Sequence, residues 1–140
     1  MEEPQIEFHS ECDFDLKNQQ DIVTWMNTIA KKEGKHIGVL NYIFCDDEYL
    51  HKINVEFLDH DTYTDIITFD YCVGNELISD IYVSVERVRE NAQKFSDSFE
   101  EELHRVLIHG LLHLCGYQDK GEEEVANIRK KENYYLSLRS

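Results

Sequence analysis

The most constraining feature of this sequence is a short run near its C-terminal end that contains His109, His113 and Asp119. Two histidines four residues apart lie on the same face of a helix. Gly116 lets the backbone leave that helix, so that Asp119 can turn back towards the imidazole rings. Three protein ligands with a fourth position left open are typical of a catalytic zinc site. We therefore predict that these three residues bind one Zn2+ per chain and that the protein is a metal-dependent hydrolase.

Gly110 argues against peptidase chemistry. In metalloproteases with this ligand spacing, the residue after the first histidine is a glutamate that acts as the general base. Glycine offers no proton acceptor and costs about 1 kcal/mol relative to alanine inside a helix, so it indicates close packing of the backbone instead. A metalloprotease is therefore the least favoured hydrolase, and the sequence leaves the catalytic residues unknown.

The role of Asp119 has an alternative. Asp119 precedes Lys120-Gly121 and an acidic stretch, so it could instead cap a final helix. Water or another side chain would then complete a site with His109 and His113. Cys115 lies two residues after His113 and points away from the ligand face, so we expect it to pack as an ordinary buried residue.

Three ordered stretches of the chain resemble the YbeY family of bacterial metal-dependent endoribonucleases. The fixed positions of the family pattern His-Gly-x-Leu-His-Leu-x-Gly-Tyr are matched between His109 and Tyr117. Gln118 then replaces the family's aspartate, and Asp119 aligns with its last histidine. A second stretch matches from Ile53 to Phe69, and a third matches the family's Gly-Asp-Ile at residues 79–81. Together they cover roughly half the chain in the family's order.

The resemblance implies a function and a set of partners. It implies a single-strand-specific endoribonuclease in ribosomal RNA maturation and ribosome quality control, in which zinc activates water to attack the phosphodiester. The implied partners are ribosomal RNA or its precursors and proteins of the small ribosomal subunit, with no DNA and no membrane. Leu58 replaces an arginine of the family that could stabilise charge on a phosphate. This change favours an alternative, a non-catalytic ribosome-assembly factor with a structural metal.

The net charge of −15 is unusual for an RNA enzyme, because phosphate contacts normally supply most of the affinity for nucleic acid. A local basic patch could outweigh distant acidic charge, since screening is strong beyond about 8 Å at physiological salt. The best candidate lies between residues 125 and 140, where four cations surround Glu132: Arg129, Lys130, Lys131 and Arg139. The alternative is a solvated helix face.

Other titratable residues are weaker candidates. Asp65 or Asp80 could orient a metal-bound histidine, although a hydrogen bond at a turn or sheet end is an equal alternative. Thr64 would cap the turn before Asp65. His104 lies five residues before His109, on a different helical face, and is expected at the surface. The remaining histidines are expected to be structural or solvated: His9, His36, His51 and His60.

The pattern of apolar residues predicts an α+β fold in one domain, residues 1–140, with a mixed sheet of about four strands and the metal site at the end of a central helix. Predicted strands cover residues 6–9, 37–45, 66–71 and 77–85, the last two joined as a hairpin at Gly74-Asn75. Predicted helices cover residues 21–33, 85–95 and 122–138, and two more begin near residues 46–48 and 98.

Composition favours a cytoplasmic protein. No apolar segment is long enough for a membrane helix, and the acidic start lacks the features of a secretion signal. The cysteines are widely spaced with no Cys-x-x-Cys pair, which favours reduced thiols.

Overall fold

A computed structural model describes residues 4–59 and 64–139. Within these residues it contains a mixed four-stranded sheet and five helices, which confirms the predicted α+β fold. In chain order the elements are β1 (Gln5–Ser10), α1 (Gln19–Lys32), β2 (His36–Cys45), α2 (Asp47–Leu58), β3 (Ile66–Asp70), β4 (Glu76–Ser84), α3 (Val85–Lys94), α4 (Phe99–Leu114) and α5 (Glu122–Leu136). No helix in the described part of the chain is long and apolar enough to cross a membrane.

The strands lie in the order β1-β2-β4-β3. β1 pairs in parallel with β2, and β2 in parallel with β4, so each of these pairs needs a crossover connection. α1 lies in the first connection and α2 in the second. β3 pairs antiparallel with β4 across the turn that contains Gly74, whose φ of 57° favours glycine. The predicted hairpin is confirmed.

α4 is the central helix and the element that carries the metal motif. Its N-cap is Ser98, whose side chain accepts a hydrogen bond from the backbone of Glu101. Acidic residues in the first turn favour the positive end of the helix dipole. The buried apolar residues of the helix are Leu103, Val106, Leu107, Ile108, Leu111, Leu112 and Leu114.

Gly110 lets α4 approach the sheet closely. A Cβ atom at this position would lie 3.0 Å from Cδ1 of Ile66 and 3.4 Å from Oγ1 of Thr68, both on β3. The interpretation of Gly110 as a close-packing residue is therefore confirmed. The same contact brings the last turns of α4 next to the segment that precedes β3.

The prediction that His104 lies at the surface is wrong, because only 8% of this residue is exposed. The centroid of the Trp25 ring lies 5.8 Å from that of the His104 ring, and Nη1 of Arg139 lies 2.7 Å from Nδ1 of His104. Arg139 also forms an ion pair with Glu101. α4 is thus covered by α1 and by the C-terminal residues, so a side chain that points away from the metal motif is still buried.

His104 gives stability a dependence on pH. Burial, followed by the charge of Arg139, lowers its pKa below the usual 6.5. The unfolded chain therefore binds a proton more readily, and the contribution to stability is complete above pH 6.5 and is lost as the pH falls. Between about pH 7 and about pH 5, we expect the urea midpoint of the native chain to fall further than that of His104→Gln. An equal fall of the urea midpoint in the two proteins would show that His104 does not cause this dependence on pH.

Candidate metal centre

The C-terminal end of α4 brings the predicted ligands together. His109 and His113 lie one helical turn apart, with ring centroids 4.5 Å from each other. The helix ends at Cys115, and Gly116 adopts a φ of 111°, a conformation that favours glycine. The backbone N–H of Tyr117 then donates to the carbonyl of Leu112 at 3.1 Å. This turn returns the chain across the helix end to Asp119.

Three ligand atoms face one another in a nearly regular triangle. Nε2 of His109 lies 3.0 Å from Nε2 of His113, and Oδ2 of Asp119 lies 3.3 and 3.4 Å from those two atoms. In a tetrahedral zinc site with bonds of about 2.0–2.1 Å, neighbouring ligand atoms are about 3.3–3.4 Å apart. The dimensions of the triangle fit such an ion, and the group could bind a metal.

The hydrogen bonds made by the Nδ1 atoms of the two histidines explain why a cation fits between their Nε2 atoms. Nδ1 of His109 lies 2.6 Å from Oε2 of Glu132, and Nδ1 of His113 lies 2.8 Å from the carbonyl oxygen of Tyr117. A carboxylate and a carbonyl accept hydrogen bonds, so each Nδ1 donates and each neutral ring keeps a lone pair on Nε2. The three facing atoms are then all acceptors. A metal ion between them satisfies all three.

Glu132, which the sequence places only among the cations of the predicted basic patch, contacts the candidate ligand His109. It is 3% exposed and lies on α5, with Ile128 and Leu136 one turn to either side on the same buried face. A single carboxylate on an otherwise apolar helix face is the sequence feature that indicates a buried, partnered residue here. Burial lowers the pKa of His109, but the hydrogen bond and charge of Glu132 outweigh it, and the pKa is raised overall.

The suggestion that Asp65 or Asp80 orients a histidine is wrong, since Glu132 and the Tyr117 carbonyl hold the two Nδ1 atoms. Asp80 instead accepts a hydrogen bond from Asn41 at 3.2 Å. Asp65 lines the cavity beside His109, and burial raises the pKa of its carboxyl group while His109 lowers it by a smaller amount.

The alternative role for Asp119 as a helix cap is also wrong. The N-cap of α5 is Gly121, and no side chain caps that helix end. Asp119 is 44% exposed at its side chain and faces both histidines.

Known proteins are similar to this chain over nearly its whole length. A family model described as Endoribonuclease YbeY matches residues 5–139. The chain belongs to the YbeY family. A protein of Flavobacterium johnsoniae named Endoribonuclease YbeY is 56% identical over 133 residues, which cover 95% of this chain and 96% of that protein. A protein of the same name from Christiangramia forsetii is 55% identical over 138 residues, covering 99% of this chain and 96% of the relative.

A solved structure is similar to this chain in fold and in sequence. The solution structure of a protein from Thermotoga maritima matches with a TM-score of 0.66 and 28% sequence identity. The match covers 94% of this chain and 86% of the other. The resemblance based on three motifs is therefore confirmed, as is the α+β fold predicted from the pattern of apolar residues.

Leu58, the position where the resemblance predicts an arginine, lies at the candidate site. It is the last residue of α2 and is 41% exposed. It lines a cavity of about 390 Å³ together with His109, His113 and Asp119. An apolar side chain therefore lies beside the candidate ligands, and the residues of α2 that line this cavity, Asn54 and Leu58, carry no positive charge.

The four cations of the predicted basic patch contact different neighbours. Arg139 pairs with Glu101, and Nζ of Lys131 lies 3.6 Å from Glu33. Lys130 and Lys131 line one cavity, whereas Arg129 lines another of about 220 Å³ that includes His109 and Asp119. Of these cations, Arg129 is the one that shares a cavity with candidate ligands.

The other predicted residues lie outside the ligand triangle. The hydroxyl of Thr64 donates to the carbonyl of Ile66 at 3.4 Å, and the turn before Asp65 that Thr64 is predicted to cap lies outside the described residues. His9 and His36 are exposed, His51 is half-buried, and His60 falls outside the described residues. All four cysteines are free, and Cys115 packs against the main core.

Proposed function

We propose that this YbeY chain is a zinc-dependent endoribonuclease that cuts single-stranded regions of ribosomal RNA or its precursors, in ribosomal RNA maturation and ribosome quality control. His109, His113 and Asp119 would hold one zinc ion per chain. The triangle of acceptor atoms carries the proposal, and the name of the family and of its relatives supports the choice of RNA. We propose further that residues 1–140 act as one domain in the cytoplasm, with proteins of the small ribosomal subunit as partners.

The chain's own residues have defined tasks in this proposal. A bound zinc ion supplies a Lewis acid that activates water or polarises a phosphate oxygen. The two histidines and Asp119 hold the ion, while Glu132 and the carbonyl of Tyr117 hold the rings. Gly110 provides no base of the protease type, which favours phosphodiester over peptide hydrolysis.

Arg129 is the residue best placed to contact a substrate phosphate. It lies three residues before Glu132, so the two side chains are neighbours on one face of α5. Glu132 contacts His109, and Arg129 lines the cavity that includes His109 and Asp119. Arg129 is exposed, and its side chain makes no hydrogen bond or ion pair with the described residues, although, against the burial that raises the pKa of the Glu102 carboxyl group, its charge lowers that pKa in part. Its guanidinium is therefore available for an anionic ligand.

Removing this guanidinium is expected to weaken RNA cleavage. For Arg129→Gln we expect kcat/KM to fall about tenfold, because a hydrogen bond to a charged group contributes roughly 1.5–3 kcal/mol. The plot of the logarithm of the RNA-binding constant against the logarithm of the salt concentration should also become less steep by about one unit, the effect of losing one phosphate contact. Lys130→Gln is the matched control, since it makes the same change of charge at the next residue but lines the other cavity. Equal kcat/KM for the two variants would exclude Arg129.

A second candidate is a ribosome-assembly factor in which the metal only stabilises the C-terminal helices. Leu58 at the candidate site and the net charge of −15 favour it. This factor would bind ribosomal RNA without cutting it.

One assay separates the candidates. Zinc-loaded and chelator-stripped protein would be incubated with a labelled single-stranded fragment of ribosomal RNA, with the same fragment as a duplex, and with a peptide. We expect cleavage of the single strand alone, and only by loaded protein. Intact RNA with retained binding would support the assembly factor, and cleavage of the peptide would support a protease.

A further inference from the structure

A buried ion pair joins α4 to α5 directly behind the candidate metal centre. Oε1 of Glu132 lies 3.0 Å from Nη1 of Arg105, while its other oxygen, Oε2, lies 2.6 Å from Nδ1 of His109. The exposed fractions of the side chains are 4% for Glu132 and 14% for Arg105. Nη2 of Arg105 also donates to Oδ1 of Asn133 at 2.8 Å. Each carboxylate oxygen of Glu132 thus has its own donor.

The spacing on α4 makes this arrangement possible. Arg105 and His109 are four residues apart, so their side chains lie one above the other and reach the same carboxylate. A buried carboxylate is unfavourable unless a cation and hydrogen bonds compensate it. Arg105 provides that compensation without touching any candidate ligand atom.

We propose that Arg105 and Glu132 are positioning residues for the metal ligand His109, an inference that rests on the proposed metal site. Arg105 holds the carboxylate of Glu132 in place, and that carboxylate accepts a hydrogen bond from Nδ1–H of His109. The imidazole is thereby fixed in the tautomer and orientation that present the Nε2 lone pair to the ion.

The two histidines differ in how they are held. His113 is oriented by a backbone carbonyl that no side-chain substitution removes, whereas His109 depends on two side chains from separate helices. Substitutions of Arg105 on α4 or Glu132 on α5 should therefore weaken metal binding through His109 while the three candidate ligands stay unchanged.

Zinc affinity measured by competition with a chromophoric chelator provides the first test. We expect Glu132→Gln to bind zinc 10- to 100-fold more weakly than the native chain, the usual loss when such a partner is removed. The matched control is Glu101→Gln on α4, which makes the same change of side chain in a different ion pair, the one between Glu101 and Arg139. The control should bind zinc as the native chain does. Equal affinity of the two variants would overturn the proposal.

A second variant separates positioning from folding, because Glu132→Gln leaves Arg105 without its charged partner. The double variant Arg105→Met with Glu132→Met replaces the ion pair by apolar side chains, which is often neutral or stabilising. We expect it to fold, as judged by thermal unfolding, and still to bind zinc at least tenfold more weakly than the native chain. Native zinc affinity in a folded double variant would show that the pair is only structural.

Nuclear magnetic resonance of the histidine ring nitrogens gives a signal that would not change if Arg105 and Glu132 only stabilised the fold. The protein is measured without metal, because zinc bound at Nε2 would fix the Nδ1–H tautomer by itself. In the metal-free native chain, the long-range proton–nitrogen spectrum of His109 should show the proton on Nδ1 in a single tautomer. In the folded, metal-free double variant we expect a mixture of ring states and a weakened Nδ1–H signal, with His113 unchanged. Identical His109 spectra would overturn the proposal. Failure of the native chain itself to bind zinc would instead overturn the proposed function.

Discussion

Replacing His113 with alanine is expected to remove most of the bound zinc and with it the cleavage of RNA. The native chain should carry close to one zinc per chain after purification. The variant loses one of three ligand atoms that lie 3.0–3.4 Å apart, so two remain. Because each ligand carries a large share of the binding free energy, we expect the zinc affinity to fall on the order of 100-fold or more.

Elemental analysis and a cleavage assay on the same preparations would measure this effect. His36→Ala is the matched control, since His36 is exposed at the start of β2, outside the candidate site. It should keep the native zinc content and the native rate. Equal zinc content in His113→Ala and the native chain would remove His113 from the site.

The second large effect is expected at Asp119, where the resemblance predicts a histidine. Oδ2 of Asp119 faces both Nε2 atoms, and no second carboxylate joins the group within the described residues. Asp119→Ala should therefore lose zinc affinity by tenfold or more, about 1.4 kcal/mol. Asp119→His should still bind zinc, because imidazole and carboxylate are both zinc ligands.

A zinc titration of the native chain and both Asp119 variants tests this prediction. The histidine variant controls for disturbance of the loop, because it changes the side chain at the same position but restores a ligand. If Asp119→Ala binds zinc as tightly as the native chain, the third ligand is a different residue.

The ligand triangle was predictable because its geometry is local. Helical spacing places His109 above His113, and a glycine at the helix end allows the turn that returns Asp119. All three residues lie within a short run, so no knowledge of the remaining fold was needed. The hairpin at Gly74 was predictable for the same reason.

Glu132 and His104 show where local reasoning failed. Glu132 reaches His109 only because α5 packs against α4, and no pattern around His109 indicates which face of a later helix will meet it. His104 was expected at the surface on the assumption that α4 buries a single face. α1 and Arg139 cover a second face, which is a property of the packed molecule rather than of the helix.

Reactivation of stripped protein by measured additions of zinc tests the metal-dependent endoribonuclease most directly. The initial rate of cleavage of a single-stranded fragment of ribosomal RNA would be followed as zinc is added to a known concentration of chain. We expect the rate to rise in proportion to zinc, to level off at one equivalent per chain, and to stay near zero in His113→Ala. Cleavage without added zinc, or an equal rate in His113→Ala, would contradict the proposed role of this site.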